Sequence, residues 1–202
     1  MVKVGIIGFG YWGPNLARNF SVAPNVKLLK IADTNSSRCV LAKKNFPQVE
    51  VTTNPEELFN SSDLDLIVIA TPVSSHFDLA IKALKGGKHI WVEKPIASSA
   101  KEALEIANIA EQKNLIAMVD HTYLFTGAIR KIKETLADNQ LGKLYYYDSV
   151  RVNLGLFQHD VNVIWDLATH DFSIMNYLLG PSAKAVSAAG KSHISKLEDI
   201  GY

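Results

Sequence analysis

The chain has 202 residues, of which 48% are apolar and 20% charged, and its formal net charge is +1. That composition supports a globular core, and its near-neutral balance gives no electrostatic reason to expect nucleic acid or a membrane surface as the main partner. The single cysteine, Cys39, excludes an internal disulfide framework and a cysteine-rich zinc site.

Residues 2–8 (VKVGIIG) form a β-branched apolar run that stops at a glycine cluster, as a strand buried on both faces would. The apolar part is too short for a secretory core, and no stretch of the chain approaches 18 uninterrupted apolar residues, so the expectation is a cytoplasmic protein without a membrane span. A helix opens at Gly13-Pro14-Asn15, with Pro14 where a missing N–H costs little. A second strand at 26–32 ends at Asp33, followed by a helix over 36–45 and a short strand at 49–51. The apolar run 64–70 (LDLIVIA) closes on Thr71-Pro72. A helix over 76–85 ends at Gly86-Gly87, and a strand at 89–92 runs into Glu93-Lys94-Pro95. A helix over 100–113 and a strand at 115–119 complete an alternation that predicts a doubly wound α/β sheet.

The pattern changes after Asp120. A helix is expected over 128–137, a long alternating strand over 143–152, a helix over 165–179 ended by Gly180-Pro181, and a further strand over 183–189. The expected organisation is therefore a Rossmann domain over 1–122 and a partial α+β domain over 123–202 with an open, mostly antiparallel sheet.

The segment 8–13 (GFGYWG) fits G-x-G-x-x-G between a strand and a helix, and Asp33 lies 20 residues after Gly13 at the end of the next strand. In that context Gly8 serves the tight turn, Gly10 the approach of a pyrophosphate, and Gly13 close helix–strand packing. The loop residues Phe9, Tyr11 and Trp12 belong to the same cofactor-binding segment. The helix N-terminus offers N–H donors to phosphate. Asp33 suits the ribose hydroxyls and repels a 2′-phosphate, which favours NAD over NADP. Arg38 is the opposing feature: it can hold such a phosphate, stack on adenine, or simply solvate a helix.

Lys94 sits at the carboxyl end of a predicted strand, where open α/β sheets bind ligands. It is either a surface cation or a general base whose proton affinity falls beside a cationic nicotinamide. In 165–171 (WDLATHD), Asp166 and His170 are four apart and share a helix face. They are either a surface pair or a device that holds a substrate hydroxyl. Two ligands without HEXXH-type spacing give no metal site.

These motifs together resemble the Gfo/Idh/MocA oxidoreductases, the relatives of glucose-fructose oxidoreductase and inositol dehydrogenase. The resemblance covers nearly the whole chain: 8–15 (GFGYWGPN), Ala70-Thr71-Pro72 with His76, Glu93-Lys94-Pro95, and Asp166-x-x-x-His170. It implies that Lys94, Asp166 and His170 are catalytic and that Thr71, Pro72, His76 and Glu93 line the cofactor cleft. Segments 120–125 (DHTYLF) and 151–171 look like the branch that oxidises the 3-hydroxyl of UDP-linked N-acetylhexosamines or their uronic acids. That likeness implies a nucleotide-sugar substrate contacted by Lys94, His121, Tyr123, Arg151, Asp166 and His170, with Arg151 facing a diphosphate or carboxylate. The alternatives are an inositol or simple-sugar dehydrogenase, a reductase of small carbonyl compounds, and a non-catalytic NAD-binding fragment. Family members are longer, so the resemblance also implies a truncated copy. Its unfinished sheet would pair with another chain, or form homo-oligomers at full length.

Overall fold

In the computed structural model, the described residues are 1–152, 160–180, 183–194 and 196–202. They divide into two compact units, Met1–Asp120 and His121–Tyr202.

The first unit begins with β1 (Val2–Ile7), α1 (Gly13–Val22), β2 (Val26–Ala32), α2 (Ser36–Asn45) and β3 (Glu50–Thr52). It continues with α3 (Glu56–Phe59), β4 (Leu66–Ile69), α4 (His76–Lys85), β5 (His89–Val92), α5 (Ala100–Gln112) and β6 (Ala117–Val119). The six strands are parallel and ordered β3-β2-β1-β4-β5-β6. The chain winds outward in both directions from β1, so the strand order reverses between β1 and β4, where such sheets bind ligands.

The period-2 alternation of strand side chains explains the double layer. Val4 and Ile6 of β1 and Val68 of β4 pack in one apolar cluster with Leu16 and Ala17 of α1 and Ala42 of α2. Ile7, Ile67 and Ile69 point the other way, into a cluster with Ala80 and Leu84 of α4 and Ile106 of α5. Side chains cap the starts of α2 and α5: Asn35 accepts from the N–H of Ser37 at 2.9 Å, and Ser99 from that of Glu102 at 3.2 Å. Lys88, nearly buried, reaches the carbonyls of Ser61 and Leu64 at 2.6 and 2.8 Å and ties the start of β5 to the turn before β4.

The first unit follows the expected element order, with boundaries moved by one or two residues and the short α3 added. The second unit departs further. It holds a 3-10 turn at Thr122–Phe125, α6 (Gly127–Ala137), a π-helical turn at Ile164–Ala168 running into α7 (Thr169–Leu179), and a two-stranded antiparallel ladder of β7 (Gly190–Lys191) and β8 (Ile200–Gly201). The expected strand over 143–152 is not a strand, although its alternation is real. A strand exists only as half of a hydrogen-bonded ladder, and no described run pairs with this one; Tyr145, Tyr146, Val150 and Val152 stand exposed. The expected strand over 183–189 is corrected for the same reason. Only its last residue, Ala189, exchanges hydrogen bonds with a partner, Tyr202. The expected helix over 165–179 begins as a π turn, which places Asp166 on the wider turn and His170 on the α-helix that follows.

No described helix is long and apolar enough to cross a membrane. Among the described residues no group of three His, Cys, Asp or Glu side chains is placed to hold a metal ion.

Candidate functional site

In the first unit the chemistry-bearing residues collect at the carboxyl ends of β1, β2, β4, β5 and β6. β1 is followed directly by Gly8, which has φ of 97°; a Cβ there would lie 2.5 Å from the Ala70 carbonyl oxygen. At Gly13 a Cβ would lie 2.2 Å from the carbonyl oxygen of Gly8. Both positions therefore exclude any side chain, and the loop folds flat against the start of α1. That helix has no side-chain cap, and its N-terminus faces the loop with the positive end of the peptide dipoles. A Cβ at Gly10 would meet nothing nearer than the Arg38 guanidinium, at 3.5 Å. The backbone is thus open to a ligand there, with a cation at its edge. This cradle fits a dinucleotide diphosphate.

Asp33 does more than the sequence suggests. It is 6% exposed, and its Oδ2 accepts the Phe9 N–H at 2.7 Å while its Oδ1 accepts the Asn35 N–H at 2.8 Å. One carboxylate therefore pins the glycine loop to the start of α2. Arg38 lies 3.6 Å from the same Oδ2, its own side chain half exposed. Phe9 contributes its N–H, but its ring is buried in the core beside Phe46. Tyr11 and Trp12 are exposed on the loop, edge to face at 5.5 Å.

His76, expected to line the cofactor cleft, is only 1% exposed. Its Nδ1 lies 2.8 Å from the Pro95 carbonyl oxygen and its Nε2 2.8 Å from that of Thr71. It therefore clamps the loop after β4 to the loop after β5, the loop that carries Lys94. The Ser75 hydroxyl lies 2.7 Å from the Thr71 hydroxyl and 2.8 Å from the Pro72 carbonyl oxygen, which braces the first of these loops.

Glu93 and Asp120 directly follow β5 and β6, side by side and both buried. Burial, followed by the adjacent Asp120 carboxylate and the hydrogen bond to it, pushes the Glu93 carboxyl up to about 8, against the opposing pull of Lys94. At neutral pH Glu93 is thus mostly a protonated acid beside a carboxylate. Its Oε2 lies 3.3 Å from the Lys94 backbone nitrogen, which donates to it. Sequence reasoning missed Asp120; the only available signal was a carboxylate directly after an apolar strand.

In the second unit, Tyr123 sits in the 3-10 turn, its ring edge to face with His170 at 4.8 Å. The Arg151 guanidinium lies 4.7 Å from the centre of the same tyrosine ring. Arg151 also donates to Asp171, Nε to Oδ2 at 2.7 Å and a second nitrogen to Oδ1 at 3.4 Å, and the Ser149 hydroxyl donates to Oδ1 at 2.6 Å. The pairing holds the Asp171 carboxyl below its ordinary range despite the opposing effect of burial, and raises Arg151 further above its own. Asp166 donates its backbone N–H to the Asn162 carbonyl at 2.9 Å. His121 precedes the turn and accepts the Leu124 N–H at its carbonyl. Asp171 and Ser149 are the residues sequence reasoning missed here. Of the expected 151–171 segment, residues 153–159 lie outside the described residues.

The profile of an oxidoreductase family with an NAD-binding Rossmann fold, GFO_IDH_MocA, matches residues 2–121. The chain is 28% identical over 196 residues to the NAD(+)-dependent scyllo-inositol 2-dehydrogenase of Bacillus subtilis, an alignment covering 94% of this chain and 57% of that protein. It is 26% identical to the NADP(+)-dependent scyllo-inositol 2-dehydrogenase of the same organism, covering 100% of this chain and 58% of that protein. The chain thus spans less than two thirds of the length of these relatives. An NAD-binding protein of Listeria innocua superposes with a TM-score of 0.85 at 23% identity, covering 99% of this chain and 61% of that one, a likeness of fold.

Proposed function

Because this chain belongs to the Gfo/Idh/MocA oxidoreductase family, whose NAD-binding Rossmann fold it carries, we propose that it serves reversible oxidation of a secondary hydroxyl on an uncharged cyclic polyol, with NAD as the cofactor. Two inositol dehydrogenases among its relatives support that substrate class. The observation that carries the choice is the Arg151–Asp171 pair. A guanidinium already matched by a carboxylate has little charge to offer the diphosphate or uronate of a nucleotide-linked sugar. The UDP-N-acetylhexosamine reading suggested by 120–125 and 151–171 becomes the alternative that the same assay tests.

Bound NAD would supply the hydride acceptor. The glycine loop, the start of α1 and Asp33 would hold its diphosphate and adenosine ribose, with Arg38 at the edge. Lys94 or His170 takes the hydroxyl proton, and the other, with Asp166, holds and polarises the oxygen. The His76 clamp fixes the loop that presents Lys94. Glu93, protonated at neutral pH, adds no full negative charge beside Lys94.

Calorimetric titration with NAD and then NADP, followed by reduction of the preferred cofactor in the presence of scyllo-inositol, myo-inositol or a UDP-N-acetylhexosamine, tests the reading. Tighter NAD binding with turnover of an inositol is expected. Turnover of the UDP-sugar alone would establish the alternative. Lys94→Ala should lower turnover about a thousandfold while NAD affinity stays within about threefold.

A further inference from the structure

Arg151 is placed to act through other side chains rather than on an anion. Among the described residues, 143–152 take part in no strand ladder, so no ladder sets the position of 151. Side chains set it instead. The planar fork of Arg151 grips Asp171 through two nitrogens, and Ser149, two residues earlier on the same run, donates to the same carboxylate. Asp171 directly follows His170 in the first turn of α7. The guanidinium held in this way lies over the ring of Tyr123, and that ring packs edge to face on the His170 imidazole. A cation over an aromatic face and an edge-to-face ring pair each prefer a definite orientation. Three elements with no backbone ladder between them, the 3-10 turn, the 143–152 run and α7, are therefore joined through one group of side chains that ends on the imidazole.

We infer that Ser149, Arg151, Asp171 and Tyr123 form a positioning clamp that fixes the ring orientation of His170. The inference concerns geometry; only its effect on turnover rests on the proposed role of His170. Among the described contacts, Tyr123 packs on the ring, Asp171 adjoins it, and Arg151 reaches it through Tyr123. Lysine at 151 keeps the charge but loses the planar fork and much of the stacking. Leucine at 123 keeps the Arg151–Asp171 pair but removes the aromatic link.

The test is NMR of the full chain carrying ring-labelled histidine, run on Arg151→Lys and Tyr123→Leu beside the unaltered protein, with steady-state kinetics in parallel. Cross-peaks between the Tyr123 and His170 rings are expected in the unaltered chain and should weaken in Arg151→Lys. In both variants the His170 ring signals and titration midpoint should shift. Turnover should fall about ten- to a hundredfold, with KM within about threefold, as misplacement of a reacting group produces. Unmoved His170 signals in both variants would overturn the clamp. So would a rise in KM confined to an anionic substrate with kcat and ring signals unchanged, because Arg151 would then be an anion ligand. Tyr123→Leu decides the matter if Arg151→Lys does not fold. Shifted ring signals in a chain that turns over no alcohol would leave the clamp standing and refute the oxidoreductase reading.

Discussion

The two units put similar apolar content to different use. In the first, the sheet is covered on both faces, and each central strand sends alternate residues into one of two closed clusters. In the second, the buried apolar residues among those described are Val161 and Ile174, while Tyr145, Tyr146, Val150 and Val152 are exposed. The first unit is held by core packing. The second is held by polar and aromatic links such as Arg151–Asp171, Tyr123–His170 and Lys133 over Tyr177. A mutation in one should therefore be felt as a lost volume, and in the other as a lost orientation.

The widest contrast should come from truncating apolar side chains. Ile67, wholly buried in β4, should cost about 3–4 kcal/mol as Ile67→Ala, read by urea melts of the first unit's transition. Tyr146→Ala, at an exposed side chain of the second unit, should stay within about 0.5 kcal/mol. Equal losses at the two positions would mean that the second unit is packed as the first is.

Asp33→Ala should come next, at about 2 kcal/mol, because it strands the N–H groups of Phe9 and Asn35. The same change should weaken NAD binding by about tenfold or more in calorimetry, since the glycine loop loses its tether. A stability loss without a binding loss would confine Asp33 to the fold.

Glu93 gives the pH dependence its sign. Its carboxyl, raised from 4.5 to about 8 by burial and then by Asp120, keeps its proton in the fold where the unfolded chain has released it. The folded state therefore binds more protons between about pH 4.5 and 8, and this contribution to stability declines as pH rises through that window. Melts of the unaltered chain and Glu93→Gln, at steps from pH 5 to 8, should show the native advantage shrinking with pH. A difference that stays constant would mean an ordinary ionised glutamate.

Arg38→Ala should cost little stability, within about 1 kcal/mol, because its pair with Asp33 at 3.6 Å involves a half-exposed guanidinium. Its effect should appear in the ratio of NAD to NADP affinity. An unchanged ratio would remove Arg38 from cofactor choice.

The sheet and its longer helices were legible because the β-branched runs ended at turn signals and helices such as α2 and α1 began at a capping or proline residue, Asn35 and Pro14. The glycine loop was legible for the same local reason. Residues 143–152 were misread because alternation reports which side chains share a face, and pairing needs a second run that no single segment encodes. His76 was found, but its clamp between Thr71 and Pro95 was not, because those carbonyls come from loops on two different strands.

Local sequence thus determined the period of each element and the dinucleotide cradle, which depend on neighbours within a few residues, and it offered Lys94, Asp166 and His170 as candidates. Tertiary structure alone decided that Asp33 ties down the loop, that Glu93 keeps its proton beside Asp120, and that Arg151 faces Asp171 and Tyr123. Each of these depends on burial or on a partner distant along the chain, and a carboxylate or guanidinium has no fixed role until the fold sets the charge and the solvent around it.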